Sequence, residues 1–159
     1  RIAALPDSAL VARRLCAVTQ YVVASPAYLA REGRPVHPRE LVDRPCMSYA
    51  YRARSDVWRF TNDAGDEEPV MPNGPLRVTN SDALLPMLLE GLAIAELPEF
   101  IAGEYLSDGR LEAILTDWSL TKGGLYFVTP SARARPAKVS ALSDYLAEHL
   151  SEPTWRWPK

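Results

Sequence analysis

The stretch from Leu76 to Phe100, LRVTNSDALLPMLLEGLAIAELPEF, constrains the fold of this chain more than any other. Leu76 and Val78 alternate with polar residues, as a half-buried strand does. Asn80, Ser81 and Asp82 then supply side-chain oxygens suited to capping a helix start. Leu84, Leu85, Leu88, Leu89 and Leu92 follow at helical spacing, and Gly91 stands where a left-handed helix stop costs little. Leu92 to Leu97 is an almost unbroken apolar run, as expected of a parallel strand covered on both faces. The stretch predicts a βαβ unit with a polar helix start at the carboxyl end of its first strand. Ligands of open α/β sheets collect at that end, and free N–H groups at a helix start favour anions.

Two residues depart from this pattern. Pro86 falls about one turn inside the helix and lacks a backbone donor, which predicts a kink or a late helix start. Glu96 interrupts the buried strand, where a charge needs a partner or an edge. It either reaches water or an arginine from the strand end, or lines a cleft.

The rest of the chain interleaves short strands and helices. Residues 1–5 read as the tail of a strand, abrupt enough to suggest a cut inside a domain, and Pro6–Ser8 as a turn. Leu10, Val11 and Leu15 fit an amphipathic strand or a turn of helix, and Ala17 to Ala24 a second strand. Ser25-Pro26 is a helix-start pair, a capping hydroxyl followed by proline at the first position, with a stop at Gly33. His37-Pro38 opens another short helix in the same way. Cys46–Tyr51, Val57–Phe60 and Glu68–Met71 are strand-like, with a hairpin turn at Asn62–Asp66. After a helix led by Pro98 comes a strand at Leu111–Leu115, then Asp117-Trp118 and a linker-like Thr121-Lys122-Gly123-Gly124. Leu125–Val128 reads as a buried strand. The last helix repeats Val139, Leu142, Leu146 and Leu150, and a Trp155-Arg156-Trp157 tail is either pinned by its tryptophans or disordered. Such interleaving argues for an α/β fold with largely parallel pairing.

Composition narrows the function. A formal net charge of −2 gives no general attraction to nucleic acid or anionic membrane. Arg13, Arg14, Arg52, Arg54, Arg59, Arg133 and Arg135 are scattered rather than gathered into a footprint. No apolar stretch approaches the ~18 residues that span a bilayer. Two cysteines, Cys16 and Cys46, in no CxxC pattern predict buried, reduced thiols and a cytoplasmic setting. Two histidines, His37 and His149, have no ligand-spaced partner, and no GxSxG, HExxH or glycine-rich phosphate loop occurs. No catalytic residue, metal or cofactor is expected. Ser25 as a nucleophile is outweighed by Ser25 as a helix cap. Trp58 and Phe60, at strand spacing, read as core.

The runs LPDSALVARRL, VVASPAYLAREG, CMSY, WRF, TNSDALLPMLLEGLAIAELPEF, SDGRLEAIL with Asp117-Trp118, and LYFVTP with the final helix occur in one order. In that order and spacing, from Arg1 to about Leu150, the chain resembles the effector-binding domain of LysR-type transcriptional regulators. It departs by lacking the family's winged helix-turn-helix, its linker helix and roughly the first third of the effector domain. Ala93 also stands where glycine is usual, and Glu96 where an apolar residue is.

The resemblance implies a type 2 periplasmic-binding-protein-like α/β fold, two Rossmann-like lobes joined by two crossover strands, with lobe I incomplete. Residues 1–18 would belong to lobe I, 19–22 to the first crossover, 23–120 to lobe II, 121–124 to the second crossover, 125–150 to the return strand and helix of lobe I, and 151–159 to a tail. Thr19, Gln20, Tyr21, Thr121, Gly123 and Gly124 would then be hinge residues. A small organic effector, with a carboxylate suited to the helix starts, would lie in the interlobe cleft. Ser25, Asn80, Ser81, Pro98, Glu99 and Phe100 are its expected contacts, with helix capping and, for Phe100, core packing as the competing roles. Asp82 would compete for the same N–H groups. The family also implies a homo-dimer or higher homo-oligomer, with the helix at Asp82–Glu90 as a candidate contact. DNA would be bound only through a domain absent from this chain. A stand-alone solute-binding protein of the same fold is the alternative.

Overall fold

The computed structural model describes residues 2–3, 10–50, 57–121, 123–130, 136–152, 155 and 157. In chain order it begins β1 (Ile2–Ala3), β2 (Val11–Val18), β3 (Gln20–Ala24), α1 (Pro26–Glu32), a 3-10 turn at Pro38–Asp43, β4 (Cys46–Tyr49), β5 (Trp58–Asn62) and β6 (Glu67–Val70). Next come β7 (Arg77–Val78), a second 3-10 turn at Ser81–Leu84, α2 (Leu85–Leu89), β8 (Ile94–Pro98) and α3 (Glu99–Ser107). It ends β9 (Glu112–Ile114), β10 (Trp118–Leu120), β11 (Gly123–Thr129) and α4 (Ala137–His149). The turn read at Pro6–Ser8, Lys122 of the expected linker, Arg52, Arg54, Arg133 and Arg135 lie outside the described residues. The chain divides into two compact units, Arg1–Val18 with Lys122–Thr154, and Thr19–Thr121 with Trp155–Lys159.

In the first unit the described strands run in the order β1-β11-β2, all antiparallel. The Gly-Gly pair expected to be a linker opens β11, with Gly123 opposite Val18 and Gly124 opposite Ala17. The Tyr126 ring explains Gly124: its Cε2 lies 2.7 Å from where a Cβ would stand, so a larger residue would displace the ring. Helix α4 packs on β2, where Arg13 donates to the buried Ser143 Oγ at 3.1 Å and pairs with Asp144.

The second unit carries a sheet in the order β7-β4-β8-β3-β9. Strand β4 runs parallel to β7 and β8, but β3 runs antiparallel to both β8 and β9. Largely parallel pairing is therefore incorrect for this chain. The reason is the entry point: the chain arrives at Gln20 opposite Pro98, the carboxyl end of β8, and has to run against that strand. A second, antiparallel sheet has the order β10-β5-β6. Its hairpin is closed by the Asp66 N–H donating to Asn62 Oδ1 at 2.8 Å, with Gly65 at φ +86°. Strand β10 carries no sequence signal, because three residues are too few to display a period of two.

Alternation along β3 fills both faces of the five-stranded sheet. Val22 and Ala24, with Cys46 and Ile94, pack against Tyr28, Leu29, Leu41, Trp58 and Phe60. Tyr21 and Val23, with Met47, Ala95 and Leu97, pack against Leu84, Leu88, Ala102 and Leu106. Full burial of each such aliphatic side chain contributes about 1.5–3 kcal/mol.

The central unit forms with adjusted boundaries. The 3-10 turn takes up the first part of the expected helix, so Pro86 falls in the opening turn of α2, where its missing donor costs nothing. The apolar run does not all become strand: Leu92 is 53% exposed, its N–H donating to the Met87 carbonyl, and β8 starts at Ile94. The tail is ordered at its tryptophans. Trp155 and Trp157 both pack within the second unit.

Candidate functional site

Register fixes what gathers at each end of the five-stranded sheet. Strands β7, β4 and β8 share a direction, with Tyr49 beside Val78 and Met47 beside Ala95. Their carboxyl ends deliver the Asn80–Ser81 turn and the Pro98–Phe100 segment to one end of the sheet. Strand β3, running the other way, begins at that end, with Gln20 opposite Pro98 and Tyr21 opposite Leu97. Asn80, Ser81, Pro98, Glu99, Phe100, Thr19, Gln20 and Tyr21 are thus placed at one sheet end. Thr121, just after β10, belongs to the same unit, whereas Gly123 and Gly124 belong to the other.

Asn80 is extended, at φ −132° and ψ 121°, and its Oδ1 accepts from the Asp82 N–H at 3.1 Å. Its carbonyl accepts from the Ala83 N–H at 3.1 Å. The Asn80 amide group thus has its oxygen committed to the turn, while the side chain stands exposed and Ser81 is half-buried. The amide NH2 and the Ser81 hydroxyl are the groups suited to grip a polar ligand. Asp82 does not spend its backbone N–H on an anion, because Asn80 already holds it.

At the neighbouring strand end, Pro98 is buried and starts α3 without a side-chain cap. The first helical N–H, from Glu99, donates to the Thr19 carbonyl at 2.9 Å and so ties α3 to the start of β3. The Glu99 side chain is 5% exposed, and its Oε1 accepts from the Trp157 N–H at 3.0 Å. The Tyr21 phenol is held above its ordinary pKa, first by burial and then by the Glu99 charge. Tyr21 stays neutral and meets Trp157 edge-on, ring centroids 5.4 Å apart. Phe100 faces Trp155 at 6.4 Å. Glu99 and Phe100 are therefore engaged by the C-terminal tail, an occupant that no periodicity in the sequence reveals.

Ser25 is not brought to this place. Val23 lies opposite Ala95, and the chain continues beyond the amino end of β8, where Ser25 Oγ stands 3.3 Å from the Cβ position of Gly91. The length of β8, about 13 Å at ~3.3 Å per residue, separates that end from Pro98. Ser25 is 2% exposed and its hydroxyl accepts from the Tyr28 N–H at 3.3 Å. Ser25 is the buried cap of α1, and the antiparallel course of β3 puts it at the opposite end of the sheet from Asn80, Ser81 and Pro98.

The other candidates are absorbed by structure. His37 caps the first 3-10 turn in a reciprocal box with Glu40, and His149 stacks on Tyr145. Cys16 and Cys46 are both buried and neither is disulfide-bonded, and burial pushes the Cys46 thiol up to about 12. Among the described residues no cluster of His, Cys, Asp and Glu is arranged to hold a metal ion, and no helix is long and apolar enough to cross a membrane. Among the described residues Leu115, just after β9, is the non-glycine one with positive φ, at +56°. No sequence signal announces it, since leucine there costs about 1–2 kcal/mol.

The LysR substrate binding domain model matches residues 1–151. The chain belongs to that family. Over 151 residues this LysR domain is 34% identical to the HTH-type transcriptional regulator PtxR of Pseudomonas aeruginosa, covering 94% of this chain and 48% of PtxR. It thus spans about half the length of the curated relatives it matches. Among solved structures it is similar to the full-length Vibrio cholerae virulence activator AphB, with a TM-score of 0.78 and 28% identity, covering 93% of this chain and 50% of AphB. It is also similar to the CrgA regulatory domain of Neisseria meningitidis, with a TM-score of 0.77 and 25% identity, covering 94% of this chain and 74% of that domain. The fold of this LysR domain is the periplasmic-binding-protein-like one of those regulatory domains, and its relatives are transcriptional regulators.

Proposed function

We propose that this domain senses a small organic effector on behalf of a transcriptional regulator. The ligand contacts the second unit at the sheet end formed by Asn80, Ser81 and Pro98, with a carboxylate or comparable anion favoured by the Asn80 amide NH2 and the Ser81 hydroxyl. Thr19 and Thr121, outside any strand where the chain passes between its units, are the points that flex. Binding that favours one arrangement over another is the physical requirement for signalling. DNA contact and homo-oligomer formation belong to the whole regulator, and this domain has no catalytic role. The observation that carries the reading is the family match over residues 1–151, joined to the convergence of two strand ends and the start of β3. It also favours a regulator over a stand-alone solute binder, because the relatives are regulators.

A library of small carboxylates, screened by thermal denaturation, tests the reading. A hit should lose roughly 10–150-fold in affinity in the Asn80→Ala/Ser81→Ala variant, the worth of one charge-assisted hydrogen bond. Unchanged affinity removes the site. A hit that leaves operator binding by the full-length regulator unaltered removes the sensory role.

A further inference from the structure

The chain changes unit at Val18/Thr19, at Thr121/Lys122 and again at Thr154/Trp155. The last passage delivers two tryptophans onto α3 and the start of β3. Trp157 donates its backbone N–H to the buried Glu99 carboxylate at 3.0 Å and sets its ring edge-on to Tyr21 at 5.4 Å. Trp155 meets Phe100, and its carbonyl oxygen lies 2.8 Å from where a Cβ on Gly103 would stand. No ordinary Cβ contact is so short, so glycine at this position in the middle of α3 is what lets the tail backbone approach. Glycine inside a helix is otherwise unfavourable relative to alanine, so the close approach accounts for a residue that helix formation disfavours. Glu99 also holds the start of β3 through its backbone N–H on the Thr19 carbonyl. Tail, helix start and linking strand therefore meet at one residue.

We propose that the C-terminal segment is a strap: docked through Trp155 and Trp157, it fixes the first residues of β3, where the chain enters the second unit, and its release frees them. The strap is a conformational control independent of which effector binds. Contacts of this size open and close as local units without global unfolding.

The test compares the unmodified chain with Gly103→Ala and Trp157→Ala, using two readouts. Limited trypsin digestion followed by intact mass reports cleavage after Arg156, and amide hydrogen exchange reports Gln20–Val22 and Glu99. Gly103→Ala keeps every aromatic group and improves helix propensity, so it separates tail release from loss of core. Both variants should be cleaved after Arg156 about tenfold faster or more, with exchange at Gln20–Val22 and Glu99 rising alongside and β11 unchanged. A Gly103→Ala chain that keeps its tail protected refutes the docking. One that releases the tail while β3 exchanges as before refutes the strap.

Discussion

Replacing Ser25 by alanine distinguishes a buried cap from a ligand contact. The hydroxyl accepts from the Tyr28 N–H and is 2% exposed, so removing it leaves that donor without its side-chain partner at a helix start closed off from water. Loss of an N-cap costs about 0.5–2 kcal/mol, and an orphaned buried donor about 1–3 kcal/mol. These describe one interaction, so a loss of about 1.5–2 kcal/mol is expected. At the roughly 2–4 °C per kcal/mol usual for a chain of this size, the melting temperature should fall by about 3–8 °C. Ser25→Gly removes the same acceptor and should cost a comparable amount, because the Tyr28 N–H is orphaned in the same closed-off place. Urea denaturation followed by far-UV circular dichroism measures both, and titration of a confirmed effector into each variant measures affinity. Affinity should stay unchanged in both. A Ser25→Ala protein of ordinary stability that has lost its effector would refute the placement of the site at the carboxyl end of β8.

The Cys46 thiol, raised to about 12 chiefly by burial, should resist thiol reagents in the folded protein at pH 8 and react on denaturation, read by a colorimetric thiol count. The sign for stability follows: between about pH 8.5 and 12 the unfolded thiol ionises and the folded one does not. The contribution of Cys46 is thus intact below about 8.5 and falls by up to about 1.4 kcal/mol per pH unit above it, measurable by denaturation at pH 8 and 10. Pro86→Ala should change stability by less than about 1 kcal/mol, because the proline sits in the first turn of α2; a gain near 3 kcal/mol would place it inside a helix instead.

Local rules expose much of this fold in the sequence. The Ser25-Pro26 start and Gly33 stop of α1, the Asn62–Asp66 hairpin and the Pro98 entry to α3 all depend on residues adjacent in the chain. What escaped depends on distant partners. The direction of β3 is fixed by where the chain enters the second unit, and no property of QYVVA encodes it. That single fact puts Ser25 at one end of the sheet and Asn80 and Ser81 at the other. Glu99 and Phe100 were legible as a strand-end segment, but their partners lie more than fifty positions away in a tail without periodicity. Strand β10 was hidden by brevity, and the Gly-Gly pair imitated a linker because a strand glycine and a loop glycine look alike until a neighbouring ring is seen.

The pairing of Val18 with Gly123 also bears on biosynthesis. Strands β2 and β11 are separated by roughly a hundred residues, and closing so long a flexible loop carries the entropic cost of its length. Nearly the whole of the second unit lies within that loop. If it folds first, the loop becomes a short tether and most of the closure cost has already been met. A ribosome therefore releases the first unit's β2 long before its partner exists, and that edge waits unpaired through the synthesis of everything between. Pulse-labelled amide exchange during refolding should show β3 and β8 protected before β2 and β11; the reverse order would show that the outer strands find each other across an unfolded loop.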